Sequence, residues 1–289
     1  MIGSQVVRIL GGALTADIQD DSDLQDLRKP SACFGATYGV DTVFHLADHT
    51  VGIGYSSKHH GEMLTNSALI SLNMLRMAKQ NKVKNYLYVS SSCVYPEMSR
   101  PASEFLGDVR EPEEANKGYG WAKRMGEMQA MAFAEENPDM KIVIARPANI
   151  YGPSYNWSNA NPHVIPSLIR QMLSGKKEIV VWGSGRQTRT FMYERDAAYL
   201  IVELMSRGQS GHAYNLGGTE ISIADVTVML IEICDYRGTV IFDDTKPEGP
   251  VRKAYSADKL KNLIRFVPMG LREGLRETVM AAKRAVVNV

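Results

Sequence analysis

Cysteine is scarce in this chain: Cys33, Cys93 and Cys234 are the only three in 289 residues, and no two form a Cys-x-x-Cys pair. An odd, widely spaced set argues against a disulfide framework and a thiolate zinc site, and makes a reducing, cytoplasmic setting the expectation. An excess of one charge is lacking too. Lys and Arg total 33 against 32 Asp and Glu, a net of +1. Nucleic acid and anionic membrane surfaces, which call for a strong positive excess, are therefore not expected partners. No apolar run approaches the ~20 residues of a membrane span, and residues 1–15 lack the basic start and small-residue cleavage site of a signal peptide. A strand at the start is missing as well, since Met1-Ile2-Gly3-Ser4 opens straight into a helical pattern. What is present is 44% apolar residues, enough for a sizeable core, in a length that suits one large domain or two unequal ones.

The apolar periodicity gives the organisation. Ser4–Leu10 carries a short helical stripe, a Gly11-Gly12 turn follows, and Ala13–Ile18 is a short strand candidate containing Asp17. Asp41–Ala47 and Asn85–Ser90 are compact β-type runs, Lys141–Ala145 a third, and helical spacing predicts helices over Gly61–Lys79 and Gly118–Glu135. Pro147–Pro153 reads as a Gly/Pro-rich loop. Strands alternating with helices at this spacing predict an α/β fold, a doubly wound parallel sheet. Beyond Pro153 the elements shorten: a helix over Val164–Leu173, a strand over Glu178–Trp182, a charged turn over Gly183–Arg189 and a terminal helix over Leu271–Val287. The expectation is a first domain over residues 1–150 and a smaller α+β lobe over 151–289, with segments such as 190–207 returning to the first.

The chemistry centres on Ser91, Tyr119 and Lys123. Tyr119-Gly-Trp-Ala-Lys123 places the phenol and the ammonium four residues apart, on one face of a helix. An ammonium beside a phenol favours the phenolate, so Lys123 is expected to lower the Tyr119 pKa toward neutrality. Ser91 lies 28 residues earlier, just past the end of a strand, where open α/β sheets carry their sites. His45, His49, His59 and His60 have no carboxylate at ligand spacing, and no metal is expected.

With these residues in place, the chain resembles the extended short-chain dehydrogenase/reductases that act on nucleotide sugars. The matching segments are HLAD (45–48), SSSCVYPE (90–97), YGWAK (119–123), RPANIYGP (146–153) and VWGSGRQTRTF (181–191). The resemblance implies a nicotinamide cofactor, NADP with NAD possible, lying across the sheet edge near Gly3, Asp17, Ile18, Leu46, Ala47, Pro147, Asn149 and Ile150. It makes Tyr119 the acid/base, puts Lys123 on the nicotinamide ribose and has Ser91 hold the reacting oxygen. Within this family, Cys93 together with His163 in NPHVIPSLIR is similar to the GDP-L-fucose synthases, with the GDP-mannose 3,5-epimerases next. A C4 ketone acidifies the protons on C3 and C5. A thiol and an imidazole, with reference pKa values near 8.5 and 6.5, suit removal on one face and delivery on the other. The same resemblance gives a GDP-linked sugar as partner, touched by Ser91, Ser92, Asn149, His163, Val164, Trp182, Arg189 and Arg252, and a homodimer through helices 61–79 and 118–135.

One part of the pattern differs. The family's glycine fingerprint, T-G-x-x-G-x-x-G between a strand and a helix, is represented only by Ile2-Gly3-Ser4. The expectation is a Rossmann-like lobe, N-terminally truncated, with the Met1 α-ammonium at the pyrophosphate position. The same gap supports a reading of another class, a catalytically silent binding or regulatory subunit.

Overall fold

The computed structural model describes residues 1–13, 15, 26–159, 162–246 and 249–287. The chain begins with helix α1 (Ile2–Ile9), then α2 (Pro30–Thr37), strand β1 (Thr42–His45), the one-turn α3 (Ile53–Ser56), α4 (His60–Gln80) and β2 (Asn85–Val89). Next come the short α5 (Leu106–Val109), α6 (Lys117–Glu136), β3 (Lys141–Arg146) and β4 (Asn149–Tyr151). The second half holds α7 (Val164–Leu173), β5 (Glu178–Trp182), β6 (Thr188–Tyr193), α8 (Glu194–Arg207), β7 (Ala213–Asn215), β8 (Thr219–Ser222) and α9 (Ile223–Cys234). It closes with β9 (Thr239–Asp243), β10 (Arg252–Lys253), α10 (Asp258–Leu263) and α11 (Leu271–Val287). The strand candidate at Ala13–Ile18, and with it Asp17 and Ile18, lies outside the described residues apart from its first and third positions.

The first sheet has four strands in the order β1-β2-β3-β7, and every pair in it is parallel. β2 and β3 are almost continuously apolar because both of their faces are covered. Successive side chains point to opposite faces. Tyr86, Tyr88, Ile142 and Ile144 pack with residues of α2, α4 and α6, while Leu87, Val89, Val143 and Ala145 pack with Ala197, Ile201 and Leu204 of α8. Helix α1 lies against α8, with Val6 buried in the same cluster. Its helix starts at Ile2, two residues before the apolar stripe begins.

A second four-stranded sheet and a two-stranded one carry most of the second half. One is β10-β6-β4, with β8 antiparallel to β6, and the other is the parallel pair β5-β9. Their core is formed with α7, α9 and α11, around Ile169, Val226, Leu230 and Leu275. The expected loop at Pro147–Pro153 contains β4, whose Asn149, Ile150 and Tyr151 pair with Phe191, Met192 and Tyr193 of β6. Those partners lie about forty residues later, so no local signal marks the strand.

Candidate active site

β1, β2 and β3 end at the sheet's carboxyl edge in loops that face one cavity of about 1970 Å³, bounded on the other side by α7, β5 and β6. The volume well exceeds the ~300–1,000 Å³ of an ordinary small-molecule pocket, and suits two ligands side by side.

Local geometry places the reactive groups. Ser91 has extended backbone, and its Oγ accepts the Cys93 backbone N–H at 3.1 Å, capping a single 3₁₀ turn over Ser92–Val94. That cap fixes Cys93 at the cavity wall. Helix α6 supplies Tyr119 and Lys123 from the same face, and Gly120 lets it come close: a Cβ there would lie 2.5 Å from the Cys93 carbonyl oxygen. Ser91, Cys93, Tyr119, Lys123 and His163 all line the cavity. Leu46, Ala47, Ser92, Pro147, Asn149, Ile150, Val164, Trp182 and Arg189 do so too. At its far end lie Met1, Gly3 and Ser4, at the N-terminus of α1. Nothing comes within 4 Å of a Cβ built on Gly3.

The Tyr119–Lys123 pair has a third member. Lys123 Nζ donates to the Val89 carbonyl at 2.8 Å and lies 2.5 Å from Asp48 Oδ2, with both side chains almost wholly buried. The same carboxylate acts on the Tyr119 phenol. Burial, and after it the Asp48 charge, raises the Tyr119 pKa well above its ordinary value. The expected depression by Lys123 is thus overturned: the phenol is held protonated. Burial opposes the Lys123 ammonium, but Asp48 and Tyr88 together outweigh it and raise the pKa of the amine.

The thiol sits in a second charged cluster. Lys253 Nζ lies 3.7 Å from Cys93 Sγ and 2.6 Å from Glu113 Oε1. Burial raises the Cys93 pKa, and Lys253 counteracts part of that rise. His163, the N-cap of α7, presents its ring to the cavity, where the surrounding walls desolvate it and lower its pKa. Pro166 fits the first turn of that helix because its missing N–H would have had no partner there.

Not every expected residue joins the site. Arg252 does not line the cavity; its guanidinium forks onto Glu220 at 2.7 and 2.8 Å and donates to the Ser99 carbonyl. Lys253, its neighbour, points inward instead. Asn149 donates to the Thr190 carbonyl at 2.9 Å, and Arg189 donates to the carbonyls of Thr188 and Pro250. Asp48, Glu113 and Lys253 carried no signal in the sequence. Asp48 ends the HLAD segment with nothing local to tie it to Lys123, and Glu113 and Lys253 are 140 residues apart. His45 is buried at the end of β1, where its Nδ1 and the Tyr86 hydroxyl are hydrogen-bonded at 2.6 Å.

The profile of the NAD dependent epimerase/dehydratase family matches residues 14–217. The chain belongs to that family. A putative GDP-L-fucose synthase 2 of Arabidopsis thaliana is 30% identical over 290 residues, covering 96% of this chain and 87% of the relative. A GDP-mannose 3,5-epimerase of the same plant is 28% identical over 275 residues, covering 92% of this chain and 71% of the relative. In fold, the chain is similar to a GDP-L-fucose synthetase from Naegleria fowleri bound to NADP, with a TM-score of 0.89 and 24% identity, over 100% of this chain and 91% of that one. The family implies a nicotinamide dinucleotide, and the cavity has groups that fit one. Ser90 Oγ is buried without a partner at the strand ends, and the α1 N-terminus, without a side-chain cap, opens into the other end.

Proposed function

We propose that this protein is a nucleotide-sugar epimerase/reductase that takes a GDP-linked 4-keto-6-deoxymannose, inverts C3 and C5 and reduces C4 with NADP(H). The observation that carries this reading is the meeting of two sets of groups in one cavity: Ser91, Tyr119 and Lys123 for the ketone, and Cys93 and His163 for its neighbouring carbons. Relatives named GDP-L-fucose synthase at about 30% identity support it.

NADPH, when bound, supplies the hydride. Lys123 and Asp48 together offer the nicotinamide ribose a donor and an acceptor, Ser90 Oγ offers a further hydrogen bond, and the N–H groups of α1 face a pyrophosphate. Ser91 donates to the C4 carbonyl oxygen, polarising it and acidifying the protons on C3 and C5. Cys93 works on one face of the sugar and His163 on the other, one taking the proton and the other returning one. Burial raises the pKa of the thiol, against the pull of Lys253, and lowers that of the imidazole. Tyr119, held protonated beside Asp48, delivers its proton to the C4 oxygen as the hydride arrives. Trp182 offers a face for the nucleobase, and Arg189 a fork for the diphosphate.

The test is incubation with NADPH and GDP-4-keto-6-deoxymannose in deuterated water. Deuterium at C3 and C5 together with oxidation of the nicotinamide is the expected outcome. Deuterium without oxidation would leave a 3,5-epimerase, in line with the GDP-mannose 3,5-epimerase relative, and neither signal from the folded protein would leave a silent binding subunit. Cys93→Ser should lose exchange while still reducing pre-epimerised substrate, and Tyr119→Phe should lose reduction.

We further propose a division at about residue 150 between a cofactor lobe and a sugar-nucleotide lobe, and a homodimer through α4 and α6. Leu69, Trp121, Met125 and Met128 form an exposed apolar stripe on that helix pair, and exposed patches of this kind mark interfaces. The reading places the enzyme in the reducing cytoplasm, where its three free cysteines stay reduced.

A further inference from the structure

The geometry points to Lys253 and Glu113 as the pair that sets the charge state of Cys93: the Lys253 ammonium stabilises the Cys93 thiolate, and Glu113 holds that ammonium in place. Lys253 stands on β10 beside Arg189 of β6, which turns it into the cavity wall. Its Nζ is 3.7 Å from Sγ and 2.6 Å from Glu113 Oε1, and the two side chains are 12% and 2% exposed. Glu113 is itself fixed. Asn116 Nδ2 donates to Glu113 Oε1 at 2.5 Å, and Ser56 Oγ donates to Asn116 Oδ1 at 2.8 Å. A carboxylate buried this deeply calls for a cation, and Lys253 meets that need whether or not the thiol is ionised.

The charges then balance through a proton transfer. Before it, one ammonium faces one thiolate and one carboxylate. Cys93 Sγ takes the proton from the carbon next to the ketone, the C–H electron pair moves to the carbonyl oxygen as an enolate, and the thiol becomes neutral. Lys253 keeps its proton throughout, its charge now balanced by Glu113 alone. The other groups that act on the thiol are Ser91, which caps its turn, and the phenols of Tyr119 and Tyr255. Neither phenol supplies a positive charge. Lys253 and Glu113 act on Cys93 with opposite sign, the first favouring the thiolate and the second opposing it. They are positioning residues, acting on the sugar only through the thiol.

The proton-abstraction step rests on the proposed substrate reading; the charge coupling does not, and it is measured without substrate. Iodoacetamide alkylation of the unliganded protein is followed against pH, with peptide mapping to separate Cys93 from Cys33 and Cys234. The midpoint for Cys93 should move up in Lys253→Met and down in Glu113→Gln, each by on the order of one pH unit, as expected for loss of a neighbouring charge, with Lys253→Arg staying near the parent. An unmoved midpoint in folded Lys253→Met, as for a lysine that serves only the substrate's phosphates, overturns the inference. So do shifts of the same sign in both charge-removing variants, the mark of a general loosening. If Lys253→Met fails to fold, Glu113→Gln decides alone: an upward or absent shift is fatal. Opposite shifts alongside a failed deuterium experiment would leave the coupling standing and the sugar reading broken.

Discussion

The carboxylate of Asp48 lies 2.5 Å from the ammonium of Lys123, with side-chain exposures of 3% and 2%. The buried ammonium is therefore matched by a buried anion that also acts on the Tyr119 phenol. In Asp48→Asn the anion is gone while burial remains. The Tyr119 pKa should fall, because the carboxylate had been raising it, and the Lys123 pKa should fall as well. On the proposed mechanism ketone reduction uses the Tyr119 proton, so the alkaline limb of the kcat profile should move to lower pH by on the order of one unit. An alkaline limb unchanged from the parent would show that Asp48 does not govern the phenol.

A second pH effect should appear in stability. Burial pushes the His45 imidazole down to about 3 from its ordinary 6.5, with Lys123 adding to the fall. A folded pKa below the unfolded one means that unfolding takes up a proton. This contribution is fully present above about pH 6.5 and is lost as pH drops from there toward 3, at up to about 1.4 kcal/mol per pH unit. His45→Gln, which keeps a partner for the Tyr86 hydroxyl, should flatten the stability curve between about pH 6.5 and pH 5 by that slope. Urea unfolding at a series of pH values measures it.

The legible part of this molecule was what local pattern encodes. The runs at 85–89 and 141–146 form buried strands because β-branched and aromatic residues there have covers on both faces. Ser91, Tyr119 and Lys123 meet because one ends a strand and the others share a helix face. The charged groups that tune them could not be read. Lys253 reaches Cys93 only because β10 pairs with β6, across 160 residues of sequence. Arg252 and Lys253 are adjacent, and strand alternation sends one to Glu220 and the other to the cavity. The sign of the Tyr119 shift is hidden for a similar reason: spacing shows the lysine four residues away but not the aspartate from another strand end.

Glu127 should be a stability residue with a large effect. Its carboxylate forks onto Arg146 at 2.8 and 2.7 Å, and Arg146 also donates to the Tyr95 hydroxyl and the Glu104 carbonyl. The two side chains are 4% and 0% exposed. Glu127→Gln leaves the guanidinium charge buried without its anion, which typically costs about 3–5 kcal/mol. The midpoint of denaturant unfolding should fall accordingly, with an unchanged slope. A loss under about 1 kcal/mol would show that the polar contacts carry Arg146 without the ion pair.

The α4–α6 face is the remaining prediction, and it concerns assembly. Trp121, Met125 and Met128 recur along one side of α6, 39%, 40% and 68% exposed, and Leu69 of α4 is 42% exposed. Side chains this apolar on a helix pair lose water when a second copy covers them, and a stable interface needs roughly 800 Å² from each partner. Met128 is the most open of the four and makes the least demand on the fold, so Met128→Glu should leave the circular dichroism and melting curve of the monomer nearly unchanged. Across a two-fold contact the substitution puts two like charges into an apolar patch. Sedimentation velocity should show the parent as a dimer and the variant shifted to monomer at the same concentration. A parent that sediments as a monomer, or a variant that remains dimeric, would place the interface elsewhere or remove it.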